Sequence, residues 1–206
     1  RSVVISAPGR GEVVICKVGD PDSLPTPPML TISAPPGAEH FGGSLDAANG
    51  RIVVGAPAVG DDGRVYVYAF DGGQWVLAQV IASPDDASQF GRSVAIDGDD
   101  LLVGSDGSSG GHNVHAHVFV PGEGFVPTIR LRGDNGVDTS SVDVRGGHAL
   151  TGDLFAGGSG EAYLSLVRVD CDADGVADFE QIMADPALDC TEDGFLDSCQ
   201  LLDGTL

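Results

Sequence analysis

The sequence predicts an all-β fold. Turn formers are abundant, apolar residues fall in short alternating runs, and the same series of runs returns about every fifty residues. Of the 206 residues, 31 are Gly and 12 are Pro. Of the 31 acidic residues, 25 are Asp, a poor helix former that suits turns and hard cations. Hydrophobic residues make up 42% of the chain, enough to build a core. The length suits one domain or two small ones.

The repeat places the strands. Phe41-Gly42-Gly43-Ser44-Leu45 returns 49 residues later as Phe90-Gly91-Arg92-Ser93-Val94. A turn follows each, over Asp46 to Gly50 and over Asp97 to Asp100. Then come apolar strands, Ile52-Val53-Val54-Gly55-Ala56-Pro57 and Leu101-Leu102-Val103-Gly104-Ser105. A Gly/Asp turn leads to alternating strands over Val65 to Phe70 and Val114 to Phe119, and fourth strands hold Trp75-Val76 and Phe125-Val126. Partial copies flank these two. Val3 to Pro8 matches the second strand and Gly11 to Val18 the third. Ser141-Val142-Asp143-Val144 opens a last copy, whose third strand is Ala162 to Val169. Four strands per repeat of this length is the pattern of propeller blades.

Phe-Gly followed about thirteen residues later by Gly-Ala-Pro resembles the FG-GAP repeat of integrin α-subunit β-propellers and bacterial surface proteins. The resemblance covers residues 1–169 and weakens in the last copy, where Gly152-Asp153 replaces Gly-Ala. It implies a partial β-propeller of four-stranded blades, two complete and two partial. Propellers of the family have about seven blades. With Arg1 opening the chain, the expectation is that further blades precede it, and closure of four blades is the lesser alternative. Integrin-like blades often carry an Asp-x-Asp-x-Asp-Gly calcium loop. Neither Asp46-Ala47-Ala48-Asn49-Gly50 nor Asp97-Gly98-Asp99-Asp100 fits it, so no blade calcium is carried over.

Composition shifts at Asp170. Residues 170–206 hold nine Asp, two Glu and no Lys or Arg. Within them Asp170-Cys171-Asp172-Ala173-Asp174-Gly175-Val176-Ala177-Asp178 is followed, 19 residues on, by Asp189-Cys190-Thr191-Glu192-Asp193-Gly194-Phe195-Leu196-Asp197. A calcium loop needs oxygen ligands at positions 1, 3, 5, 7 and 9 and a Gly at 6 for the sharp turn. The first loop would use Asp170, Asp172, Asp174, the Val176 carbonyl and Asp178. The second would use Asp189, Thr191, Asp193, the Phe195 carbonyl and Asp197. Position 12 is Gln181 and Gln200, which removes the bidentate carboxylate and weakens binding. The plain alternative is an acidic, unstructured tail. Two in-register copies with Gly at the turn argue against it.

This segment resembles dockerin and EF-hand-like calcium repeats, and thrombospondin-type-3-like repeats. The resemblance implies a small calcium-loop module with short helices at 170–206. Phe179 to Ala184 can form such a helix, with Pro186 ending it. Cys171, Cys190 and Cys199 lie in this tail and Cys16 far upstream. Four Cys allow three pairings; Cys190–Cys199 is preferred, with Cys16 and Cys171 paired or free. A module this small needs ions or a disulfide for stability, and both favour a calcium-rich, oxidising exterior.

The net charge of −21 repels nucleic acid and anionic membrane surfaces, and no apolar run reaches the ~18 residues of a bilayer span. His112, His115 and His117 form a cluster. His115 and His117 alternate along a strand and can share a metal, but the repeat aligns them with Tyr66 and Tyr68, which favours packing. Gly107-Ser108-Ser109-Gly110-Gly111 matches a nucleophile elbow, yet it joins two strands where that elbow needs a following helix. Asp61-Asp62 and Asp99-Asp100 sit in turns, where Asp is commonest, and His40 and His148 have no partner at diagnostic spacing. Trp75 and Phe125 read as packing residues.

The expected function is therefore that of a secreted or surface-exposed, non-enzymatic binding, adhesion or scaffold protein whose C-terminal loops take Ca2+. Its ligand would be a protein or polysaccharide. One alternative is a dockerin-like component that docks to a cohesin-type partner. Another is the non-catalytic part of an extracellular hydrolase or lyase.

Overall fold

The computed structural model describes residues 2–17, 30–57, 63–83, 88–106, 112–132, 139–153, 161–167, 181 and 184–188. In them, strands join only their chain neighbours, in four antiparallel meanders. The first sheet is β1 (Ser2–Ala7), β2 (Glu12–Lys17) and β3 (Leu30–Ser33). The second is β4 (Ser44–Ala48), β5 (Arg51–Ala56), β6 (Arg64–Asp71) and β7 (Gln74–Ala82). The third is β8 (Ser88–Asp97), β9 (Asp100–Asp106), β10 (His112–Val120) and β11 (Gly124–Arg132). The fourth is β12 (Thr139–Arg145), β13 (His148–Asp153) and β14 (Glu161–Leu166). The all-β expectation holds. Among the described residues the four sheets do not close into a barrel or a propeller.

Two local readings change. The segment from Asp46 to Ala48 is strand, because it pairs with Arg51 to Val53 of β5. The turn shrinks to Asn49-Gly50, both at positive φ (48° and 73°), the conformation that a two-residue hairpin on twisted strands demands. Likewise Asp97 ends β8 and pairs with Asp100, leaving Gly98-Asp99 as the turn. Strand β3 had no explicit place in the sequence reading; its Val13↔Ile32 pairing adds a fourth-strand equivalent to the first sheet.

The repeat is exact enough to recur bond by bond. Phe70 N donates to Gly50 O (2.9 Å), Phe119 N to Asp99 O (2.8 Å) and Val167 N to Gly147 O (2.9 Å). The Phe-Gly element is a tight turn ahead of the first strand of the second sheet. His40 O accepts from Gly43 N (2.8 Å), and Gly42, at φ 85°, occupies the position where such a turn needs glycine. Gly42 N and Gly43 N both donate to Gly55 O, at 3.0 and 3.2 Å, which ties Phe-Gly to Gly-Ala-Pro. Gly55 must lack a side chain, since a Cβ there would collide with Gly91 O and Ser44 Oγ. That space is where Ser44 Oγ donates to Gly91 O of the next sheet (2.7 Å).

Alternation along the strands gives each inner sheet two buried faces. Ile52, Val54, Tyr66 and Tyr68 of the second sheet meet Val13, Ile15 and Ile32 of the first. Val53, Val65, Val67 and Ile81 meet Phe90, Val94, Ile96, Leu101, Val103 and Phe125 of the third. Ala95, Leu102, Val114 and Ala116 then meet Val144, Ala149 and Val167 at the fourth. The leading strands β4 and β8 are also tied directly, with Ile96 N donating to Asp46 Oδ2 (2.8 Å). The core is therefore three inter-sheet layers, each one repeat from the next.

Of the expected C-terminal module, only Gln181 and residues 184–188 are described. Gln181 and Ala184 are helical, and Asp185 N donates to Gln181 O (2.9 Å). Pro186–Leu188 form a single 3-10 turn. Cys16 is a free, buried thiol, so of the two states left open for it the structure has the unpaired one.

Candidate functional site

Among the candidate calcium ligands, Gln181 is the one the structure describes: half-buried, helical and accepting from Asp185 N through its carbonyl. Asp170, Asp172, Asp174, Val176, Asp178, Asp189, Thr191, Asp193, Phe195, Asp197 and Gln200 lie outside the described residues. So do the Ser109 segment and Asp61-Asp62. Among the described residues no group of three His, Cys, Asp or Glu is placed to hold a metal ion.

The histidine pair is brought together, but inside the core. His115 and His117 project from β10 toward the second sheet and are 4% and 2% exposed. Phe90 meets both rings edge to face, at 5.3 and 6.5 Å between centroids. The equivalent Phe41 meets Tyr66 and Tyr68 the same way, at 5.6 and 6.4 Å. His115 Nε2 shares a hydrogen bond with Ser105 Oγ (2.9 Å). His117 Nδ1 is buried without a hydrogen-bond partner. Burial, and then the neighbouring His115, lowers the His117 pKa from 6.5 to about 4, so the ring is neutral at physiological pH. Burial, followed by Tyr66, raises the Tyr68 phenol above its ordinary value. These are packing rings at one repeat position, as the alignment with the tyrosines anticipates.

The Asp99-Asp100 pair separates. Asp100 is buried in β9, whereas the half-exposed Asp99 carboxylate takes a salt bridge from Arg51 Nη1 (3.2 Å). His40 stands in the strained turn before Phe41, at φ 54°, and Gln89 repeats that φ before Phe90. His148 is exposed, with Nδ1 3.0 Å from Gly146 O.

Two grooves, at the first and the second inter-sheet layers, are open features the sequence reading missed. Between the second and third sheets lies a groove of about 450 Å³. Phe119 and Phe125 form its ring pair (5.4 Å). The Arg51 guanidinium lies 3.7 Å from the Phe119 ring centroid and 5.6 Å from that of Phe125, and Nη1 also donates to Gly98 O (3.2 Å). Gln79 brackets Phe125, with Nε2 donating to its O (2.8 Å) and Oε1 accepting from its N (2.7 Å).

The groove between the first and second sheets, about 510 Å³, repeats this plan with other chemistry. Its ring pair is Phe70 and Trp75, 5.3 Å apart. Strand register puts Ser2 where Arg51 stands, since Ser2 pairs with Lys17 as Arg51 pairs with Ala69. It puts Leu30 where Gln79 stands, since Leu30 pairs with Ile15 as Gln79 pairs with Val67. Among the residues whose side chains are described, no cation covers the rings, and Phe70 is 56% exposed. The signal for this site lay in the repeat: the copies keep the aromatic pair and change the residue opposite. Compared with known proteins, the chain matches no family model and no curated sequence.

Proposed function

We propose that this chain is a binding or scaffold protein of the cell exterior, without catalytic activity of its own. In this reading residues 1–169 are part of an FG-GAP-type β-propeller and residues 170–206 a calcium-stabilised module. Packing of the leading strands β4, β8 and β12 in series supports radial blades. So do the end faces. Val3 (43% exposed) and Ile5 (51%) of β1 occupy the register of Ile52 and Val54, which the preceding sheet covers. Leu150 (48%) and Leu164 (71%) occupy that of Leu102 and Ala116, which the following sheet covers. Propellers hold ligand-binding loops on a rigid frame, and fold alone does not name the ligand.

The observation that carries the calcium half is the pair of Asp-rich loops 19 residues apart, with oxygen donors at positions 1, 3 and 5 and Gly at 6 in both. Calorimetric titration of the whole chain with Ca2+ tests it. Two sites are expected, with Kd on the order of 10⁻⁴–10⁻³ M because position 12 is Gln. Asp170→Ala with Asp174→Ala should remove one site, and Asp189→Ala with Asp193→Ala the other. No heat from the parent chain overturns the calcium half.

A further inference from the structure

We infer that the groove between the first and second sheets binds a guanidinium group, specifically an arginine side chain presented by a partner polypeptide. This names a ligand class for the binding role proposed above and rests on that reading. At the equivalent place one repeat later, this scaffold already receives a guanidinium: the Arg51 guanidinium carbon lies 3.7 Å from the Phe119 ring centroid, and Nη1 donates to Gly98 O. An aromatic ring face attracts a cation, and a planar guanidinium adds stacking to that attraction. In the first groove the corresponding rings, Phe70 and Trp75, keep nearly the same spacing, 5.3 against 5.4 Å. The internal cation is replaced by Ser2 and the amide by Leu30. The groove thus keeps the receptor half of an interaction whose donor half the chain supplies elsewhere.

The rest of the lining agrees with a cation carried on an apolar stem. Ile15 and Leu30 form an aliphatic wall for methylenes, while Gln74 and Ser2 put polar groups at the rim. Asn49 takes the place of Gly98, so a backbone carbonyl recurs there, and Gly50 takes the place of Asp99, so the local carboxylate does not. Attraction toward the groove then comes from the −21 charge of the whole chain, with the ring faces holding the guanidinium once it arrives. A single arginine held this way binds weakly. Useful affinity would come from the rest of the partner.

Trp75 is the only tryptophan, so its fluorescence reports on this groove and the core layer against which the ring packs. The test titrates the full chain, in calcium-free buffer, with N-acetyl-arginine amide and with its neutral isostere N-acetyl-citrulline amide. The arginine compound should shift Trp75 emission saturably in the millimolar range, and at least about fivefold more tightly than citrulline, the ratio expected of one cation–π contact. Ser2→Arg should supply the cation from within and abolish the response, and Phe70→Leu, at an exposed position, should abolish it by removing the ring. Circular dichroism checks that both variants keep the parent fold. Equal responses to the two amides, no response to either, or a response unchanged in both variants overturns the proposal. Because calcium is absent, failure here leaves the calcium titration untouched. Loss of the calcium sites likewise leaves the Trp75 titration interpretable.

Discussion

The first inter-sheet layer, between the first and second sheets, and the second layer, between the second and third, share one backbone plan and differ in what fills it. Each has a fully buried Phe after a positive-φ residue, Phe41 after His40 and Phe90 after Gln89. Each sets that Phe edge-on against two rings from the third strand of its sheet. In the first layer the rings are tyrosines and in the second they are histidines. At the rim, Ser2 faces the aromatic pair in the first layer and Arg51 in the second. The repeat keeps shape where backbones approach closely, at the Phe-Gly turn and Gly55, and leaves polarity open wherever a ring or a stem alone fills the space.

Removing the shared ring tests the equivalence of the two layers most directly. Phe41→Ala and Phe90→Ala should each destabilise the chain by about 3–5 kcal/mol in denaturant unfolding, since both are fully buried. A large loss at one and none at the other would show that the layers are not equivalent.

Acid should distinguish them next. His117 stays neutral in the fold down to about pH 4, but once unfolded it takes up a proton near pH 6.5. Its contribution to stability is complete above pH 6.5, declines as the pH falls, and is lost by roughly 3 kcal/mol near pH 4. Tyr68 does not titrate in that window. His117→Tyr, which gives the second layer the ring of the first, should flatten stability against pH between 6.5 and 4. An unchanged profile would assign the acid sensitivity to carboxylates.

Gly91→Ala probes the conserved shape. Gly91 has φ 89°, and a Cβ there would lie 2.7 Å from Arg64 O of the preceding sheet. A loss of about 2 kcal/mol is expected in chemical denaturation, combining left-handed strain with displaced backbone. A neutral effect would mean the layer adjusts more freely than its packing indicates. The smallest effect is at the rim. Arg51→Ser makes the second groove resemble the first and should cost about 1 kcal/mol, because Asp99 is 53% exposed and the ring contact provides most of the interaction. The melting temperature measures it, and a zero shift would remove Arg51 as an inter-sheet tie.

Strand identity was legible because alternation and turn glycines are local signals. Ile52 to Ala56 and Leu101 to Ser105 read as strands from their own residues. The histidines were legible only through the repeat, since alone they resemble a metal site and alignment with Tyr66 and Tyr68 makes them rings. The hairpin turns after β4 and β8 were read too long, because Asp46 and Asp97 look like turn residues. Both are held in strand by ladder pairing, and their carboxylates accept from backbone N–H groups of the next sheet, at Ile96 and Gly146.

By itself, the sequence determined the all-β class, the spacing of the repeat, the ring positions on its third strands and the Asp-rich 19-residue repeat after residue 170, because each is set by order along the chain. Only the tertiary structure decided that Gly55 makes room for the next sheet's carbonyl, that Arg51 lies on Phe119, and that Ser2 leaves Phe70 and Trp75 open. Those outcomes depend on which residues two adjacent sheets bring face to face across some fifty positions of chain, and no local pattern encodes that distance.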